Sequence, residues 1–178
     1  NINGVKIHPW LYWHVNFWNM MVDKKVEGNP LPISVPEVAH LRDNEWLLQQ
    51  SLIRSEELNK GIIGFGARRL GKSGFISSFT AFNATTIYGG ELRVDSIVGG
   101  SQEDLDNITS YIDFGLDKIH PFFKMDKVGK DWSKGVTLGT RNVDNTKEIY
   151  STITVTNINK GAISSSQKTA GATPKSSI

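Results

Sequence analysis

The 178-residue sequence contains no cysteine. Disulfide frameworks, thiolate zinc clusters and thiol nucleophiles are therefore excluded. It also lacks any apolar run approaching the roughly 20 residues of a membrane-spanning helix, and its start has no basic-then-apolar signal pattern. Charge of one sign is scarce. Twenty Lys and Arg against 18 Asp and Glu leave a formal +2, too little for bulk electrostatics to argue for nucleic acid. With 38% hydrophobic and 21% charged residues, the chain reads as a globular domain of ordinary size with a core of its own.

Against that plain background one stretch stands out. Residues 61 to 77 read Gly-Ile-Ile-Gly-Phe-Gly-Ala-Arg-Arg-Leu-Gly-Lys-Ser-Gly-Phe-Ile-Ser. Gly66, Ala67, Arg68, Arg69, Leu70, Gly71, Lys72 and Ser73 form a complete G-x-x-x-x-G-K-[ST] phosphate loop. Glycines let the backbone curl round a phosphate without Cβ clashes, so that several N–H groups point inward. A following helix adds its unpaired N–H groups and the positive end of its dipole. In this reading Lys72 neutralises the β- and γ-phosphates of ATP, and the Ser73 hydroxyl ligates Mg²⁺. The flanks suit the motif. Gly61 to Phe65 carries the apolar residues of a short buried strand, and Ser73 to Phe82 predicts a helix with Phe75, Phe79 and Phe82 on one face.

On the amino-terminal side, His8 to Met21 is dense in aromatics. Trp10, Trp13 and Trp18 with Leu11, Val15 and Met21 predict the apolar side of a short helix, either packed on the domain or presented to a partner. His8 and His14 lack a convincing metal spacing and read as structural. Residues 27 to 36, with Gly28, Pro30, Pro32 and Pro36, predict an extended connector. Val38 to Ile53 is helical in character and carries Gln49 and Gln50. A glutamine amide there offers a donor and an acceptor together to an adenine edge, or is simply a surface residue.

Beyond the loop, Glu91 to Gly100 predicts a second buried strand. Ser101-Gln-Glu-Asp104 caps a helix that runs through Leu105, Ile108, Tyr111, Ile112 and Leu116 until His120-Pro121 closes it. Strand, loop, helix, strand and helix in succession predict an α/β fold with a parallel sheet, the loop lying at the carboxyl ends of its strands. Shorter strands follow at Val136 to Leu138 and Tyr150 to Val155. Lys124, Lys127, Lys130 and Lys134 give that region a basic edge, diluted by Asp126 and Asp131, that reads as solvated loops or as a DNA contact. Residues 161 to 177 have the Gly, Ala, Ser, Thr and Lys content of a linker.

The loop resembles the Walker A of bacteriophage terminase large subunits, the ATPases that package viral DNA. Arg68, Leu70, Gly71, Lys72 and Ser73 match that family's Arg-x-Leu-Gly-Lys-[Ser/Thr] pattern. The His8-Pro9 aromatic segment, the Leu47 to Gln50 stretch and Ser96 to Asp104 are similar to the family's text as well. The resemblance implies a P-loop NTPase of RecA-like (ASCE) type, with a three-layer parallel sheet that is incomplete here. Residues 1–60 would be an aromatic helical segment with the adenine motif, and residues 61–178 a partial ATPase core. It implies ATP and Mg²⁺ as ligands and Arg68 as the loop arginine acting in cis on the γ-phosphate, with Lys72 as its catalytic companion. Gln49 or Gln50 would contact adenine. Implied partners are double-stranded DNA, the portal protein, the small terminase subunit and further copies of the chain in a ring, all in the host cytoplasm.

One family element is missing. No apolar strand ends in Asp-Glu, and Leu92-Arg-Val-Asp95 lacks a Glu after Asp95. A metal-holding carboxylate and a general base are therefore wanting. Ser176-Ser177-Ile178 reads as the opening of that strand, with residues 161–175 as the loop entering it, and the nuclease domain would lie beyond. A fragment of a packaging ATPase is thus the first expectation. A helicase-like, nucleic-acid-stimulated ATPase and a non-catalytic nucleotide-binding or interaction module are the alternatives.

Overall fold

The computed structural model describes residues 4–63, 71–86, 93–99, 101–131, 135–141, 144 and 147–157. Helix α1, Pro9–Phe17, starts where the local chemistry allows it. His8 is extended and its Nδ1 accepts the Trp10 N–H at 3.1 Å, while Pro9 takes the first helical position, where a missing N–H does no harm. The helix is shorter than its aromatic pattern predicts. Trp18 is already extended, and β1, Asn19–Lys24, pairs antiparallel with β2, Ile33–Val38, from Asn19 opposite Val38 to Lys24 opposite Ile33. Met21 therefore lies in a ribbon and is exposed rather than on the helix's apolar side.

The expected connector at 27 to 36 supplies the turn of this ribbon, with Gly28 at φ +83°, and part of β2. Pro36 stands opposite Met21. A two-stranded ribbon leaves alternate N–H groups without a ladder partner, which is where proline is tolerated in strands.

Helix α2 is Asp43–Leu58, closed by Asn59 in the left-handed region. Its sides are inverted relative to its hydrophobicity: Glu45 and Gln49 are buried with Leu52 and Ile53, whereas Trp46 and Leu47 are exposed. Helix α3, Lys72–Thr85, follows the phosphate loop as predicted. Next come β3, Arg93–Gly99, and α4, Gln102–Lys118. The Ser101 Oγ caps α4 by accepting the Asp104 N–H at 3.1 Å. A 3-10 turn at Pro121–Phe123 then leads into β4, Asp126–Asp131, β5, Gly135–Arg141, and β6, Lys147–Asn157.

These last strands correct the expectation of a parallel sheet. The order is β3-β6-β5-β4, and only β3 and β6 are parallel, with Arg93 opposite Ser151 through Gly99 opposite Asn157. Both β6–β5 and β5–β4 are antiparallel. The reason lies in the connections: few residues separate these strands, and parallel neighbours need a crossover of a dozen residues or more. The strand expected before the phosphate loop is likewise not seen at residues 61–63, where Ile62 and Ile63 are exposed and outside any strand. Residues 64 and 65 lie outside the described residues.

Helices α3 and α4 pack side by side against the sheet. Val136, Leu138, Ser151 and Ile153 are buried, while the alternating Thr137, Thr152 and Thr154 are half-buried, as period-two strands require. The same core takes in Trp10, Leu11, Trp13 and Trp18 with Leu52, Ala81, Phe82, Leu105 and Ile112. Residues on both sides of position 60 therefore share one core. The phenylalanine face of α3 meets α1 directly. Trp10 sits edge-on to Phe75 with centroids 5.0 Å apart, and Trp13 edge-on to Phe82 at 5.6 Å. The Trp10 Nε1–H donates to Ser78 Oγ at 3.0 Å. These tryptophans are core residues and present no docking face.

Two features lock α4 in place. The Trp18 indole lies directly on Gly115, so that a Cβ there would come within 2.0 Å of the Trp18 ring. Lys127 of β4 pairs with Asp113 at 2.5 Å and Asp117 at 2.6 Å, and Lys130 pairs with Asp113 at 2.7 Å. Burial raises the Asp113 pKa, but the hydrogen bonds from Lys127 and Lys130 outweigh it and hold the carboxyl below its ordinary range.

Two outcomes are expected. Gly115→Ala should lower unfolding stability by about 3 kcal/mol, the upper range for overpacking, in urea titrations. For Asp113 the folded pKa is depressed, so its stabilisation is fully present above the unfolded pKa of about 4 and is lost as pH falls through the lower folded value. Asp113→Asn should therefore be less stable than the parent by about 1 kcal/mol at pH 7, the scale of partly exposed pairs, and the gap should close in acid.

Candidate functional site

The described part of the G-x-x-x-x-G-K-S motif begins at its second glycine. Gly66, Ala67, Arg68, Arg69 and Leu70 lie outside the described residues. Gly71 has φ +74°, a conformation that side chains disfavour, and it is the N-cap of α3. The first intrahelical bond runs from the Phe75 N–H to the Gly71 carbonyl at 3.0 Å. The N–H groups of the turn before it head the helix, where no carbonyl of the helix can reach them. Lys72 is the first helical residue and is exposed; Ser73 follows and is half-buried.

Electrostatics favour an anion here. The first turn of α3 holds no acidic residue, whereas those of α2 and α4 carry Asp43 with Glu45 and Glu103 with Asp104. The helix dipole of α3 is thus not offset by a carboxylate in its own first turn. Left-handed glycine, lysine, hydroxyl and acid-free turn fit a nucleotide phosphate. Among the described residues no three His, Asp or Glu side chains group to hold a metal. A Mg²⁺ would then be held by the phosphates, water and Ser73, the usual habit of that ion.

Three other positions weighed in the sequence lie in neighbouring elements, Gln49 and Gln50 in α2 and Asp95 in β3. Gln49 is fully buried, and its Oε1 accepts the His8 N–H at 2.9 Å. It ties α2 to the start of α1, and its carbonyl is not offered to an adenine edge. Gln50, its neighbour, is exposed. Asp95 lies within β3 opposite Ile153, short of the strand's carboxyl end at Gly99. Among the described residues, the basic edge is also engaged internally. Lys127 and Lys130 are the partners of Asp113 and Asp117, which argues against that edge as a DNA contact.

The structure adds a residue that the pattern of the loop does not contain. Arg42, at the head of α2, places Nη1 2.9 Å from where a Cβ on Gly71 would sit. Its backbone N–H donates to Glu45 Oε2 at 2.9 Å, closing the first turn of α2. Glu45 is buried, and its Oε1 lies 3.5 Å from Nε2 of the equally buried His14, ion-pair range without hydrogen-bond geometry. Burial raises the Glu45 pKa, but His14 and the Arg42 N–H outweigh this and leave it below the ordinary value. The only hint in the sequence is Arg42-Asp-Asn-Glu45, whose Glu at the third helical position marks a helix start. Nothing local says that this start faces Gly71.

His8 and His14 act as structural groups. His8 Nε2 is 2.8 Å from Glu56 Oε1 while its Nδ1 caps α1. Among the described residues no helix is long and apolar enough to cross a membrane. No family model, no curated protein and no solved structure matches this chain.

The placement of the two glutamines can be checked without any nucleotide. Gln49→Ala leaves the buried His8 N–H without its acceptor and opens a cavity, so it should cost about 2 kcal/mol in thermal or urea unfolding. Gln50→Ala should stay within about 0.5 kcal/mol of the parent.

Proposed function

We propose that this chain is the nucleotide-binding part of a bacteriophage DNA-packaging motor, the ATPase portion of a large terminase subunit. The observation that carries the proposal is the coincidence of the Gly66–Ser73 signature with the structure at its carboxyl end. Left-handed Gly71 opens a long helix whose first two residues are Lys72 and Ser73 and whose first turn carries no acid. That is the arrangement a phosphate loop requires.

In this reading Lys72 pairs with the β- and γ-phosphates of ATP and Ser73 contributes its hydroxyl to Mg²⁺. Arg68 stabilises negative charge developing on the γ-phosphate, as an arginine finger does. The bound ion supplies charge neutralisation on the phosphate oxygens. The chain's own residues bind and orient the triphosphate: backbone N–H groups cradle it, Lys72 fixes its charge, and α3 holds both against the aromatic core. Gln49 takes no part in adenine recognition in this scheme, because its carbonyl holds His8. Double-stranded DNA, the portal, the small subunit and a ring of like subunits in the host cytoplasm follow from the same proposal. In this reading the parallel β3–β6 pair, with α4 following β3 directly, would belong to the core, and the antiparallel β4 and β5 would extend it at one edge.

The sequence includes no apolar strand ending in Asp-Glu, so binding is the activity to test in this chain. A ligand that binds only the folded state adds about 2.7 kcal/mol of stability at a hundredfold excess over its Kd. Saturating Mg-ATP should therefore raise the melting temperature of the parent chain by several degrees and leave that of Lys72→Ala unchanged. An unshifted parent would remove the proposal and favour a non-catalytic interaction module.

A further inference from the structure

The phosphate loop ends beside a cation that does not belong to it. Arg42 is exposed at the head of α2, its Nη1 within 2.9 Å of the Cβ position of Gly71. Among the described residues no carboxylate lies within ion-pair distance of its guanidinium, although its charge is one of the influences that lower the Glu45 pKa. Nor does its side chain cap its own helix by a hydrogen bond. The backbone, by contrast, is fixed: Glu45 Oε2 accepts the Arg42 N–H, and Glu45 is itself buried beside His14 of α1. A held backbone with a charged fork at a phosphate loop is the geometry of an anion clamp. A guanidinium presents paired N–H donors that match two phosphate oxygens, and less of its freedom is lost per bond than for a lysine.

We infer that Arg42 is a phosphate-contacting residue of the nucleotide site, reaching it from α2 rather than from the loop, and held there by Glu45. The inference rests on the nucleotide-binding reading given above. It assigns α2 a direct part in the site that is distinct from adenine recognition: the helix delivers positive charge to the carboxyl end of the loop. It also explains the polar interior of α2. Glu45 is buried because it anchors the residue that carries the charge, and His14 accompanies it because an isolated buried carboxylate is strongly destabilising. The requirement for glycine at position 71 acquires a second cause. Besides its positive φ, a side chain there would displace the Arg42 fork.

The test is a titration of the parent chain, Arg42→Ala, Arg42→Lys and Lys72→Ala with a fluorescent ATP analogue and with ADP. Melting curves of each protein without nucleotide accompany it. Because the cap of α2 uses the backbone and Glu45, Arg42→Ala should melt with the parent. Its affinity should nonetheless fall about tenfold to a hundredfold, the range for losing charge-assisted hydrogen bonds. Arg42→Lys should recover only part of that loss. Parent binding that depends on Lys72 but is equal in Arg42→Ala would overturn this inference and leave the nucleotide site standing. A parent that binds neither nucleotide would overturn both. A melting temperature lowered in Arg42→Ala and restored together with affinity in Arg42→Lys would make Arg42 a structural residue and overturn the clamp.

Discussion

The contact between α1 and α3 is the constraint on which the head of α3, and with it Lys72 and Ser73, depends. The tryptophans of one helix and the phenylalanines of the other interlock edge to face, with Trp10 against Phe75 and Phe79 and Trp13 against Phe82. Such pairs add roughly 0.5–1.5 kcal/mol each beyond the area they bury. They fix α3 in rotation and along its axis, and so set where its first turn lies. Trp18 then passes the constraint to α4 through Gly115, and Val136, Leu138 and Ile153 pass it to the sheet. A segment that looks like an appendage in the sequence is therefore part of the support for the head of α3.

The amino-terminal helices also divide their work. Helix α1 supplies apolar mass, whereas α2 buries Glu45 and Gln49 and turns Trp46 and Leu47 outward. Buried polar groups destabilise a fold unless they make specific bonds. Both of these do so. Gln49 receives the His8 N–H at the α1 cap, and Glu45 closes the start of α2 beside Gly71. Among the described residues, the Nε2 of Gln49, the Nε1 of Trp13 and both ring nitrogens of His14 are buried with no hydrogen-bond partner. Precision at the head of α2 thus comes with some loss of stability.

What the sequence made legible was whatever local chemistry determines. Helix α3 follows from Phe75, Phe79 and Phe82 at helical spacing, and α4 from the Ser101 cap with Leu105, Ile112 and Leu116. β3 follows from the apolar run between turn residues. The misreadings arose where partners distant in the chain decide. Met21 reads as helical until β2 is available to pair with it, and the proline-rich stretch reads as a connector until β1 does the same. The direction of β4 and β5 is a matter of connection length and is not written in their residues. Gln49 is chemically suited to adenine, and only the approach of His8 shows where its carbonyl goes. Arg42 was invisible for the same reason, since its proximity to Gly71 is a tertiary fact. Of the phosphate loop, the motif was legible in full, and the structure bears on Gly71, Lys72 and Ser73.

The packing of Trp10 has a spectroscopic consequence. Its indole lies against Phe75, in the first turn of α3, and its Nε1–H is bonded to Ser78 one turn further on. Indole emission responds to small changes in local field and in hydrogen bonding at that nitrogen. A shift of the loop helix by a fraction of an ångström would thus be written into the protein's own fluorescence. The chain carries an intrinsic optical reporter at the head of α3, and displacement of that helix can be followed in real time with no label attached.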